Sequence, residues 1–357
     1  MFPTEPAMPD DTAPLGPGWF LGICGVLTVA MLAAVCFLPH DRYLRFSALH
    51  DAAVVKAGWI YQRIHVDKNP IDVVFIGTSH TLMAVDSALV EGGYRKSAGR
   101  PLHVVNFALE HFGRDNQYLL AREAIENRTI ALLVLEVTEE EERALHPAFG
   151  ALADPGDILT APLLINPSWF PNLSGLPIRQ VSLFRSSAAR IASGKSDEPG
   201  LKFYRGAHWD DTYIEAGSPA DPIRNAKPRL DAPGAAELER QRLRYQALSR
   251  NKRALPGPLH ALEGRANRVY LREIVALARA HGVALRFLFL PSYAATAGPS
   301  VNEPEFAAIP VWHPAEAMAR TDRWYDVNHV NYRGAEAVSA WLATKLQEEK
   351  AAGILKR

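Results

Sequence analysis

Residues Ile71–Val85 read IDVVFIGTSHTLMAV, and this stretch decides the fold. The apolar run Val73, Val74, Phe75, Ile76 stops at Gly77, and Ser79 follows two residues later. Dense β-branched and aromatic residues closed by glycine predict a strand buried on both faces. A polar turn at the carboxyl end of such a strand is where open α/β sheets present reactive groups. A nucleophilic Ser79 needs a base, and Asp326-Val-Asn-His329 offers one just ahead of a final amphipathic segment. A carboxylate three residues before an imidazole can lie beside it and fix the tautomer that accepts a proton from serine.

Outward from this stretch the pattern is strand, helix, strand. Asp86 predicts a cap for a short helix over Ser87–Glu91. Leu102–Phe107 is a second strand, a helix runs over about Asn116–Glu126, and Thr129–Val137 is a third strand. That alternation implies βαβ units and a parallel sheet. Residues 146–260 interrupt it with recurrent Pro and Gly, no convincing strand and one basic helix over Ala235–Arg253. A long insertion of this kind is usually functional or a lid. The rhythm resumes with a helix over Arg265–His281 stopped by Gly282, a fourth strand Val283–Leu290 and a last helix Tyr332–Glu348.

On the other side of Ile71, residues 1–18 are rich in Pro, Gly and acidic residues and read as a disordered tail. Trp19–Leu38 carries no charge and matches the roughly 20 residues that span a bilayer as helix. No Lys or Arg precedes it and no small-residue cleavage site follows, so it reads as an uncleaved anchor, not a signal peptide. Residues 39–70 are expected to lead away from the membrane, with a helix over Leu44–Arg63. The domain proper is expected over 71–348. Arg42, Arg45 and Lys56 follow the span, and by themselves place the domain on the cytoplasmic side.

The bulk numbers exclude several classes. Among 357 residues, Lys plus Arg number 39 and Asp plus Glu number 39. The net charge is zero, so no overall basic field recruits nucleic acid. The two cysteines, Cys24 and Cys36, both lie in the apolar segment, which rules out a disulfide framework or a thiolate metal site. No H-x-H or H-E-x-x-H spacing occurs, so neither a metal nor another cofactor is expected.

The pair of motifs resembles the SGNH (GDSL-like) hydrolase and acyltransferase superfamily. Gly77-Thr78-Ser79-His80 is similar to its serine block and Asp326-Val327-Asn328-His329 to its D-x-x-H block, over about Ile71 to Leu346. The resemblance implies an SGNH-hydrolase-like (flavodoxin-like) parallel sheet flanked by helices, here about four strands behind one transmembrane helix. It implies Ser79 as nucleophile, His329 as base and Asp326 as its orienting carboxylate. Backbone N–H groups of Ser79 and Gly113 would form the oxyanion hole. The family's third block carries an asparagine, but this chain reads Leu135-Glu136-Val137-Thr138-Glu139. Glu136 there is expected to repel an oxyanion, and losing one donor costs about 10²–10³ in rate. His80, Asn106 and Asn116 are the substitute donors in reach, with His80 and Asn116 also expected to touch substrate.

An anchor ahead of such a domain resembles proteins that O-acylate cell-envelope polymers, of the alginate O-acetylation and teichoic acid D-alanine transfer type. That resemblance implies an extracytoplasmic serine O-acyltransferase bound to the inner membrane through residues 19–38. It would act on an envelope polysaccharide beside a membrane-embedded partner that delivers the acyl group. A catalytically inactive scaffold and a carbohydrate esterase are the alternatives. Tyr204, His208, Trp209 and Tyr213 gather with Asp210 and Asp211 in the insertion; they suit a sugar platform, or packing of the insertion onto the domain.

Overall fold

A computed structural model describes residues 17–47, 56–141, 144–163, 166–194, 204, 206–209, 232–251, 259, 262 and 264–355. Its strands are β1 Val73–Ile76, β2 Val104–Asn106, β3 Leu132–Val137, β4 Ala284–Phe289 and β5 Val311–Trp312. Every pairing is parallel, and the order is β2-β1-β3-β4-β5. The helices run α1 Pro17–Cys36, α2 Arg42–Ser47, α3 Lys56–His65, α4 Ser79–Ala84, α5 Ser87–Ala98, α6 Arg114–Asn127 and α7 Phe149–Leu152. They continue as α8 Pro155–Thr160, α9 Trp169–Ala192, α10 Ala235–Asn251, α11 Arg265–Ala280, α12 Ala315–Met318 and α13 Tyr332–Ala351.

The sheet is covered on both faces, which is why its strands are apolar without alternation. Successive side chains of a strand point to opposite faces. Val74 and Ile76 of β1 accordingly join Val105, Leu133 and Phe287 in a core shared with α3, α6 and α11. Val73 and Phe75 join Val104, Leu132 and Leu288 in a second core, closed by Val90 and Tyr94 of α5 and by Val338, Leu342 and Leu346 of α13. The chain leaves β1 toward β2 on one side and returns to β3 on the other. The carboxyl end of β1 therefore sits at the switch point of the sheet, where such folds open a crevice.

Five expectations change. The sheet has five strands and not four, because β5 contributes only two residues at the edge beside β4. The single helix over Leu44–Arg63 is replaced by α2 and α3, with residues 48–55 between them outside the described set. Helix α3 also does more than lead away from the membrane: Ala57, Trp59, Ile60 and Ile64 are buried in the core. The stretch 146–260 holds three helices, α7 to α9, besides the basic helix α10, with non-helical chain at 161–163, 204 and 206–209 and no strand among the described residues. Asp86 caps as expected, accepting from Leu89 N at 2.9 Å, but its helix continues to Ala98.

Among the described residues one helix, Gly18–Cys36, is long and apolar enough to cross a membrane by length and composition. The cations after it are spent on the fold. Arg42 pairs with Glu123 at 2.9 Å, Arg45 with Asp154 at 2.7 Å, and Lys56 is buried.

Candidate active site

Ser79 is the first residue of α4, two residues beyond Gly77, the glycine that follows β1. Thr78 caps this helix, its hydroxyl accepting from His80 N at 3.2 Å. Among the described hydrogen bonds none uses the Ser79 N–H, in keeping with the free donors at any helix start. Ser79 is half-buried, so its hydroxyl can meet both solvent and a relay partner.

The partner comes from 250 positions down the chain: Ser79 Oγ lies 2.8 Å from His329 Nε2. His329 Nδ1 lies 2.9 Å from both Oδ1 and Oδ2 of Asp326. With Nδ1–H donating to the carboxylate, Nε2 is left to accept from serine, the tautomer that general-base catalysis requires. Asp326 also accepts from the backbone N–H of Asn328 at 2.8 Å and of His329 at 2.9 Å. Burial pushes its carboxyl up, but the His329 hydrogen bond and charge, with the two backbone donors, outweigh that and hold its pKa below the ordinary value.

The turn that carries this pair is tied on every side. A bridge between Trp324 and Val330 closes it. Tyr293 N, just past β4, donates to Val327 O at 2.7 Å. Gln241 of α10 accepts from Val327 N at 3.1 Å, so the insertion braces the turn. Asn331 then caps α13, accepting from Gly334 N at 3.1 Å.

Glu136 corrects its expectation. It is buried beneath α4, not free to face a substrate. Oε1 accepts from Thr78 Oγ1 at 2.7 Å, while Oε2 accepts from Thr78 N at 2.8 Å, Thr81 N at 3.1 Å and Thr81 Oγ1 at 2.6 Å. A buried carboxylate needs such compensation. Here it receives four donors from the turn that presents Ser79. Gly77 makes the arrangement possible, because an added Cβ would overlap both Thr81 Oγ1 and Glu136 Oε2. No family model and no curated protein matches this chain. What it can do therefore rests on its own geometry.

The remaining expected residues divide. His80 joins the cluster, its ring 5.5 Å from that of His329, and its Nδ1 donates to Leu290 O at 2.9 Å. Asn106 is spent elsewhere, so it is no substitute oxyanion donor. Its amide donates to Thr81 O at 3.1 Å and Val85 O at 2.8 Å, and its oxygen accepts from Ala108 N at 3.0 Å. Asn116 is buried inside α6, and no described hydrogen bond reaches its Oδ1. Gly113 starts α6 and packs so closely that an added Cβ would overlap the backbone of His146. Among the described residues no hydrogen bond joins Gly113 or Asn116 to Ser79, His329 or Asp326.

Where it is described, the aromatic cluster of the insertion packs onto the domain. Trp59 Nε1 donates to Gly206 O at 3.0 Å, Trp209 stands 6.0 Å from the Trp59 ring, and Tyr204 hydrogen-bonds Asp67. His208 lies 3.0 Å from Ser87 Oγ. Asp210, Asp211 and Tyr213 lie outside the described residues. No group of three or more His, Cys, Asp or Glu among the described residues is arranged to hold a metal.

Proposed function

We propose that this chain is a membrane-anchored serine O-acyltransferase of the SGNH type, passing an acetyl group to hydroxyls of a cell-envelope polysaccharide. One observation carries the reading: the 2.8 Å contact of Ser79 Oγ with His329 Nε2, continued at 2.9 Å to Asp326. His329 takes the Ser79 proton as Oγ bonds to the acyl carbon, giving a tetrahedral oxyanion. The N–H of Ser79, at the start of α4, is one donor for that oxygen, and the resemblance assigns Gly113 as the other. The leaving group then departs with the proton from the imidazolium, and an acyl-serine remains. A sugar hydroxyl, deprotonated by the same imidazole, attacks this ester, and the proton returns to Ser79 as the acylated sugar leaves.

The SGNH assignment rests on the two motifs falling at the carboxyl end of the first strand and before the last helix of a parallel sheet. The apolar helix α1 supports an anchored protein, and the resemblance supports an extracytoplasmic domain served by a membrane-embedded acyl donor protein. Incubating the purified full chain with an aryl acetate and an acceptor oligosaccharide tests the reading. The expected result is an acetylated Ser79 whose label moves to the oligosaccharide. Rapid release of acetate without transfer would mean an esterase. Unchanged polymer acylation in cells carrying Ser79→Ala would mean a scaffold.

A further inference from the structure

Helix α9 has one side that neither core nor relay explains. It runs 24 residues, about 36 Å at 1.5 Å per residue. Leu176, Gln180, Leu183 and Ser187, spaced one turn apart, form its buried stripe. Phe170, Ile178, Val181, Phe184 and Ile191 fall on another side and stand in the open, with Ile178 77%, Phe170 70% and Ile191 65% exposed. Such an apolar stripe normally faces a core. Its charged residues are Arg179, Arg185 and Arg190, with no Asp or Glu anywhere in the helix. Exposed Phe, Ile and Val beside purely cationic charge is the composition of helices that lie in a membrane interface.

Position selects the same occupant. The carboxyl half of α9 is fastened to the residues directly after the apolar helix α1. Gln180 Nε2 donates to Leu38 O at 3.5 Å, Ser187 Oγ accepts from Asp41 N at 2.8 Å, and Arg190 pairs with Asp41 at 2.7 Å. If α1 spans a bilayer, residues 38–41 emerge at its surface, and α9 is pinned at that level. We propose that α9 lies in the headgroup layer, its apolar side sunk into the acyl boundary and Arg185, its one exposed arginine, meeting anionic lipid. This rests on reading α1 as a membrane span. The bilayer then holds the domain at two places, a crossing helix and a surface helix, and so restricts its rotation about the anchor.

The test uses the full chain in vesicles of phosphatidylethanolamine and phosphatidylglycerol, with nitroxides on single cysteines and relaxation by oxygen against a water-soluble nickel chelate. One variant keeps Cys24, exposed on α1, and replaces Cys36. Others replace both native cysteines and carry Ile178→Cys or Phe184→Cys, with Arg240→Cys on α10 as the aqueous reference. The proposal expects Cys24 in hydrocarbon, positions 178 and 184 about 5–10 Å below the headgroups, and position 240 in water. Positions 178 and 184 in water while Cys24 is in hydrocarbon would overturn the docking and leave the anchor intact. Cys24 in water would remove the anchor, and the docking with it. A photoreactive residue at 178 that joins a protein instead of lipid in native membranes would also overturn the proposal, in favour of a protein partner.

Discussion

Ser79 is held from behind by a carboxylate it does not touch. Glu136 gathers Thr78 and Thr81 through four hydrogen bonds, and Thr78 and Thr81 bracket the serine. Replacing Glu136 with Gln puts an amide NH₂ among groups that all donate to the carboxylate, so at least one buried donor loses its partner. The expected cost is about 1–3 kcal/mol of stability. Misplacing the hydroxyl should lower kcat about 10- to 100-fold with KM little changed, read from steady-state acyl transfer. Asp326→Asn leaves the geometry but favours the wrong imidazole tautomer. A drop in kcat of about 10⁴, as the equivalent exchange gives in the serine protease relay, is expected, and a fall under tenfold would contradict the assigned role.

At the scale of elements, the relay depends on how α13 begins. Asn331 accepts from Gly334 N, and its amide donates to Asp322 O at 2.8 Å and Trp324 O at 3.3 Å, so one side chain ends the loop and starts the helix. Asn331→Ala should cost about 2 kcal/mol, seen as a lower urea midpoint. It should also slow acylation, because His329 sits two residues upstream. This element was legible in the chain, as were β1, β3, β4 and α11: Gly77 follows β1, Gly282 follows α11, and β3 and β4 are long apolar runs. Strand β5 was not, because two residues carry no period. Helix α9 was hidden by Gly175 and Pro177 within it and by apolar residues on its open side, which blur the helical stripe. The spacing of Ser79 and Asp-x-x-His was readable, but Glu136 was not, because sequence gives its position without its partners. Gly113 shows the same limit, since close packing on His146 accounts for a glycine that the motif assigns to catalysis.

In the whole molecule, stability should carry the mark of buried titrating groups outside the relay. Burial raises the Asp115 carboxyl from 3.8 to about 7, against backbone donors from His146, Asn116 and Asp115 itself. Between those values the unfolded chain releases a proton that the folded chain keeps. Its contribution to stability therefore falls as pH rises from about 4 to 7, by up to about 1.4 kcal/mol per pH unit, and is level above. Burial lowers His146 to about 4, so its contribution runs the opposite way and is lost as pH falls from 6.5. Asp115→Asn keeps an oxygen for the His146 N–H. It should stabilise the chain at pH 8 and change little at pH 4, as thermal unfolding of the detergent-solubilised protein would report.

All the chemistry depends on one hydroxyl being activated by one imidazole, and a serine-directed phosphonate reads that directly. Intact-mass and peptide spectrometry of the treated full chain should find a single adduct, on Ser79, abolished by Ser79→Ala and strongly slowed by His329→Ala. A folded chain that takes up no phosphonate, or one whose adduct survives in Ser79→Ala, would contradict the account.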